Sequence, residues 1–184
     1  GYAVAATLED VVQWTKRQRL ANIDKPRDTR PGWSMVNTPA VYLALMALAV
    51  PAQDAVAHDD LGRIAGHLRR HQEADGSWAW SSAPAANRPP PVFESDEVVT
   101  LMAFIALGPH VPADPAEASS TRDARTRASA WLEKHETGTS TQARALQLFR
   151  DVRAGKPPSE LDPAIDRLLR LQHENGGWGQ EKNL

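Results

Sequence analysis

The stretch Leu68–Trp80, LRRHQEADGSWAW, and its near-echo Leu169–Gln180, LRLQHENGGWGQ, decide how the chain reads. Each carries a Gln, three residues, a Gly, one residue and a Trp at the end of a helical stretch. Setting Gln72 on Gln172 gives an offset of 172 − 72 = 100. At that offset Leu61 meets Leu161, Leu68 meets Leu168, Arg70 meets Arg170, Gly76 meets Gly176 and Trp78 meets Trp178. Self-similarity at a fixed offset marks a repeat architecture. Before each Gln the apolar residues (Leu61, Ile64, Leu68; Leu161, Ile165, Leu168, Leu169) step by threes and fours, the stripe of an amphipathic helix. The spacing delivers each Gln to the last helical turn and puts Gly76 and Gly176 where a left-handed residue closes a helix end.

A second, more apolar element follows each of these. FESDEVVTLMAFIALG (Phe93–Gly108) is stopped by Gly108 and Pro109, and NTPAVYLALMALAVP (Asn37–Pro51) has the same shape, with Pro39 in its first turn. TSTQARALQLFRDV (Thr139–Val152) is a more polar third copy, preceded by WLEKHETG, in which the Gln and Trp are lost. VVQWTKRQRL followed by RPGW reads as a degenerate first copy, with Gln18 and Trp33 in the Gln and Trp places. Outer-type helices are therefore expected at about residues 7–20, 58–73, 121–136 and 160–173, with inner-type helices between them. The expected hairpins span about 7–50, 58–108, 121–153 and an incomplete 160–184 in one all-α domain. Strand signals are nearly absent. The fourth hairpin is half written, which predicts that the chain is a fragment of a larger repeat array.

The 184 residues are 41% apolar and 24% charged, an ordinary globular mix that suffices for one sizeable core. With 21 basic and 23 acidic residues the net charge is −2, which gives no electrostatic case for nucleic acid or an anionic membrane. No apolar run approaches the ~20 residues of a transmembrane helix. The absence of Cys excludes disulfides, thiolate zinc sites and a cysteine nucleophile within this span, and leaves the compartment, cytoplasmic or exported, undecided.

The pattern Q-x3-G-x-W at the end of an amphipathic helix resembles the QW motif of the squalene–hopene and oxidosqualene cyclases and their prenyltransferase-type relatives. The resemblance implies an α/α toroid in which inner and outer helices alternate around a cavity, about half of it present here. It also implies a structural role for Gln72, Gly76, Trp78, Gln172, Gly176 and Trp178. The residue chemistry agrees. A Gln amide at a helix end serves free backbone groups there. A Trp returning through a Gly turn buries about 200 Å².

Cyclases of that family protonate an alkene with the middle Asp of a D-x-D-D motif, and the nearest sequence here is ESDE, with Glu94, Asp96 and Glu97 in the acidic places. Two of the three carboxylates have the wrong length. The other repeats carry Asn37 and, approximately, Ser140 at the same position, a series typical of helix N-caps. A carboxylate at a helix's positive end is stabilised in its charged form, whereas an acid that protonates carbon must be held protonated. Aromatic faces that could line an apolar site are Tyr42, Trp80, Phe93 and Phe104. The prenyltransferase zinc site needs a Cys and cannot be built in this span. The six His show no metal-type clustering; His67 and His71 share a helix face but lack a third ligand. No metal or cofactor is called for.

Two readings stand. In the first the concave face binds an apolar, polyprenoid-like small molecule or a partner domain, without catalysis in this span. In the second the chain is part of a cyclase-like isomerase, with Asp96 in a degenerate acidic motif. The half-written hairpin further predicts self-association, or a segment lying in the groove, because open repeat ends expose apolar surface.

Overall fold

The computed structural model describes residues 58–79, 96–108, 112–136 and 140–179. Five α-helices and no strand lie among the described residues: α1 (His58–Arg70), α2 (Asp96–Ala106), α3 (Pro115–His135), α4 (Thr141–Arg153) and α5 (Pro158–Leu169). The described chain is all-α. The helices expected near 7–20 and 37–50 lie outside the described residues. Contacts divide the protein into two units, Gly1–Glu133 and Lys134–Leu184.

In the first unit α2 is the central element. Glu97 to Ala103 are all buried, with Ile105 and Ala106, as a helix that is apolar on every side requires. Ile64, Ala65 and Leu68 of α1, and Trp78 beyond it, are in the core as well. Each large apolar side chain buried this way stabilises the unit by about 1.5–3 kcal/mol. α3 is far more polar, and it buries a narrow line of small residues instead: Ala118, Thr121, Ala124 and Ala128, then Leu132. Small side chains let the α3 backbone come close to its neighbours. Arg69 of α1 ties the two helices together through Thr121 Oγ1 at 2.8 Å and an ion pair with Glu117 at 3.4 Å.

Two boundaries differ from the sequence expectation. α3 begins at Pro115, ahead of the expected residue 121. Asp114 starts it: its side chain accepts from Glu117 N at 2.9 Å, with Pro115 in the first helical position. α1 stops at Arg70, so Gln72 sits just past the helix rather than in its last turn. Gly76 then lies in a separate turn, closed by Gly76 N to Glu73 O at 3.0 Å and Glu73 N to Ser77 O at 2.9 Å. It is left-handed, with φ +97°, but it is not the residue that ends the helix.

In the second unit α4 and α5 form a hairpin. Ser140 caps α4, its hydroxyl accepting from Ala143 N at 3.0 Å, which is the N-cap role its position suggested. Gly155, at φ +75°, turns the chain after α4, and Pro157 and Pro158 open α5. Arg150 joins Glu136 at 2.6 Å and Asp151 at 3.0 Å, and Lys156 reaches the other Asp151 oxygen at 2.8 Å. Partial burial pushes the Asp151 carboxyl up, but hydrogen bonds from Lys156 and Arg150 and their charges outweigh it, so its pKa lies below the ordinary value.

Two outcomes are expected. A Cβ on Gly76 would fall 2.5 Å from Arg127 O, whereas one on Gly176 (φ +83°) meets nothing nearer than Gln172 Nε2 at 4.0 Å. Gly76→Ala should therefore cost about 3 kcal/mol in urea denaturation and Gly176→Ala only about 1 kcal/mol, the cost of the backbone conformation alone. A carboxyl whose pKa is lower folded than unfolded binds fewer protons when folded. The Asp151 contribution is thus full above the unfolded value of about 4 and fades as pH falls through the folded value. Asp151→Asn should flatten the acid limb of a stability–pH curve below about pH 4 and leave its neutral plateau parallel to that of the parent.

Candidate functional site

The two Gln–Gly–Trp stretches fold into the same object. In the first, Gln72 Nε2 donates to Gly76 O at 2.9 Å and Trp78 Nε1 donates to Leu68 O at 2.8 Å. In the second, Gln172 Nε2 donates to Gly176 O at 2.7 Å and Trp178 Nε1 to Leu168 O at 3.1 Å. The turns agree as well: His173 N bonds Gly177 O at 2.8 Å and Gly176 N bonds His173 O at 2.9 Å. Asp75 Oδ1 accepts from Ser77 N at 3.0 Å, and Asn175 Oδ1 accepts from Gly177 N at 2.9 Å. Physically, each is a clasp: the indole N–H takes a carbonyl in the last turn of the helix, where carbonyls lack helical partners. The Gln amide locks the Gly turn that brings the indole back.

What surrounds the two clasps differs. Gln72 Nε2 also donates to Ala124 O of α3 at 2.8 Å, and its Oε1 accepts from Arg127. Trp131 Nε1 of α3 donates to Asp75 Oδ2 at 3.1 Å. From α2, Thr100 Oγ1 accepts from Trp78 N at 3.0 Å. Trp78 is 0% exposed. Trp178 is 48% exposed. Beside it opens a cavity of about 420 Å³, lined by Thr141, Gln142, Ala145, Leu168, Trp178 and Gly179. Its size lies within the range of small-molecule sites.

The acidic residues divide. Asp96 is the first residue of α2, and Glu97 in the same turn is 3% exposed. Glu94 lies outside the described residues, as do Tyr42, Trp80 and Phe93. Phe104 is half-buried in α2, and the Arg125 guanidinium covers one face of its ring at 4.5 Å from the centroid. Arg125 Nε is buried without a hydrogen-bond partner, and burial lowers that side chain's pKa. His67 and His71 stack at 4.0 Å between centroids, with His71 Nδ1 donating to His67 O at 2.9 Å. Among the described residues no group of three or more His, Asp or Glu is placed to hold a metal ion, and no helix is long and apolar enough to cross a membrane.

Sequence reading missed the receiving side of the first clasp, namely Thr100, Ala124, Arg127 and Trp131, and the cavity beside the second. The signal for the former was the line of small residues in α3. For the cavity there was none, since Ala145 and Leu168 look like ordinary helix positions. No family model, no curated protein and no solved structure matches the chain.

The paired clasps make a prediction. Gln72→Ala leaves Ala124 O and Arg127 without their partner and should cost about 2–3 kcal/mol. Gln172→Ala loses a single exposed turn contact and should cost about 0.5–1 kcal/mol in the same denaturation experiment.

Proposed function

We propose that the protein is a helical-repeat binding module, similar in plan to the squalene-cyclase-like repeat proteins, and that it binds apolar partners at the open clasp. The observation that carries this reading is the contrast between two clasps of one geometry. Trp78 is fully buried in a turn bonded to α2 and α3, while Trp178 stands half exposed beside a 420 Å³ cavity. An indole held by its N–H in a fixed pose presents a rigid apolar face at low entropic cost, which is what a binding surface needs. Near it the exposed large apolar residues include Leu169 and Ile165 of α5. In this reading Asp96 belongs to the start of α2 and carries no proton to a substrate. The cyclase alternative needs Asp96 together with Glu94 and Glu97, of which Glu94 lies outside the described residues.

Tryptophan emission tests the reading. Squalene added to the full chain should shift the emission to the blue, Trp178→Ala should abolish the shift, and the squalene should be recovered unchanged. An identical shift in the Trp178→Ala protein, or a cyclised product lost in Asp96→Asn, would sink it.

A further inference from the structure

The α4–α5 hairpin carries a second cavity, of about 250 Å³, that shares no residue with the one beside Trp178. Arg144, Gln147 and Asp151 follow one another at steps of three and four, so one face of α4 forms one wall. Ala164 and Arg167, three apart on α5, form the other. Three guanidiniums, those of Arg144, Arg150 and Arg167, thus line one small cavity with a single carboxylate, Asp151. In a chain whose net charge is −2 this is a local reversal of sign.

The carboxylates around the cavity are already engaged. Asp151 accepts from Arg150 Nε at 3.0 Å and from Lys156 at 2.8 Å, and Glu136 takes Arg150 Nη1 at 2.6 Å. Among these named groups four cations stand against two carboxylates, an excess of two positive charges. Two of the arginines are also fixed by their stems. Arg150 is held through Nε and Nη1, and Arg167 through Nε, which donates to Pro163 O at 3.1 Å. Among the described residues Arg150 Nη2 and both terminal nitrogens of Arg167 carry no hydrogen bond. Guanidiniums held at the base with donors left at the tip are preorganised for an oxyanion.

We infer that this cavity binds the phosphate group of a small, soluble phosphate monoester. Arg144, Arg150 and Arg167 take the phosphate oxygens, and Leu148 and Ala164 lie against the carbon portion. Charge and oxygen count select the ligand. A carboxylate has two oxygens and one charge, which a single guanidinium fork satisfies. A phosphate monoester has three terminal oxygens and a charge of about −1.5 to −2 at pH 7, which matches three arginines and an excess of two. Size selects it further. The cavity falls below the roughly 300–1,000 Å³ of sites for drug-sized ligands, so the esterified group has only a few carbons.

The probe is glycerol 3-phosphate, titrated into the full chain by calorimetry. A Kd on the order of 100 µM is expected. Arg167 is exposed, so its replacement leaves the fold intact. Arg167→Gln should weaken binding by about tenfold or more. Arg170→Gln removes the same charge from the end of α5, outside the cavity, and should change the Kd by about twofold at most. Arg167→Lys keeps the charge but loses the fork, and should weaken binding by about fivefold. In nitrogen-15 NMR the Nε–H signals of Arg150 and Arg167 should shift on saturation, while that of Arg122 stays in place. Absence of binding at about 10 mM glycerol 3-phosphate overturns the inference. So do equal losses in Arg167→Gln and Arg170→Gln, which indicate diffuse attraction, and unmoved Arg150 and Arg167 signals. Succinate binding as tightly as the ester makes this a carboxylate site and overturns it as well. Inorganic phosphate binding as tightly does the same, since the ligand is then the free ion.

Discussion

The structure of the first unit depends on what a primary amide can do at one point. Gln72 offers two N–H donors and a carbonyl. One donor direction closes its own turn on Gly76 O, the other reaches Ala124 O, and the carbonyl takes Arg127. Glu in that place would have acceptors only, and Asn would be one methylene short of both the turn and the neighbouring helix. The amide thereby fixes three things together: the left-handed Gly76, the return of Trp78 to the helix end, and the distance at which α3 lies. The small residues of α3 follow from that distance, because its backbone passes within van der Waals contact of the turn.

Energy and direction come from different parts of this arrangement. Burying an indole of about 200 Å² is worth roughly 5 kcal/mol at 25 cal/mol per Å². A single amide hydrogen bond contributes about 1 kcal/mol net. Burial of the indole therefore supplies most of the stabilisation, and the clasp bonds decide where it goes. The second clasp separates the two contributions. Its bonds are all made within eleven residues, Leu168 to Trp178, while its indole remains half exposed. The clasp bonds are thus local structure, made without full burial of the indole.

Much of this was legible in the sequence, because a turn closed by contacts four to ten residues apart is written in a short stretch. The offset of 100, the helical character and the Ser140 cap all come from local spacing. Less legible were features that depend on distant partners. Apolar spacing places the start of α3 late, because the Asp114–Pro115 signal precedes a run of Ala, Glu and Ser without an apolar stripe. The bond from Trp131 to Asp75 spans 56 residues and leaves no mark on either local pattern. The spacing of Gly76 suits the end of the helix equally well; the separate turn from Glu73 to Ser77 is visible only in the backbone bonds. As for the apolar lining, Phe104 is half-buried under Arg125, and the cavity beside Trp178 is made of residues that carry no chemical signal of their own.

The differences between the two copies are not scattered. Residues that make the Gln and Trp side-chain bonds are the same in both, Leu68 and Leu168, Gln72 and Gln172, Gly76 and Gly176, Trp78 and Trp178, while the turn's backbone bonds run through differing residues, Glu73 and His173, Ser77 and Gly177. Residues that reach outward differ. Arg69, paired with α3, stands against Leu169, and Asp75, which accepts from Trp131, stands against Asn175. An aspartate can only accept from its neighbour, while an asparagine also donates, so the same turn presents a different hydrogen-bonding edge. A leucine in place of an arginine exchanges an ion pair for apolar contact. The shared residues thus set the turn, and the outward residues set what hydrogen-bonding and apolar edge it presents. This division lets one folding unit be reused along a chain without each copy competing for the same neighbour.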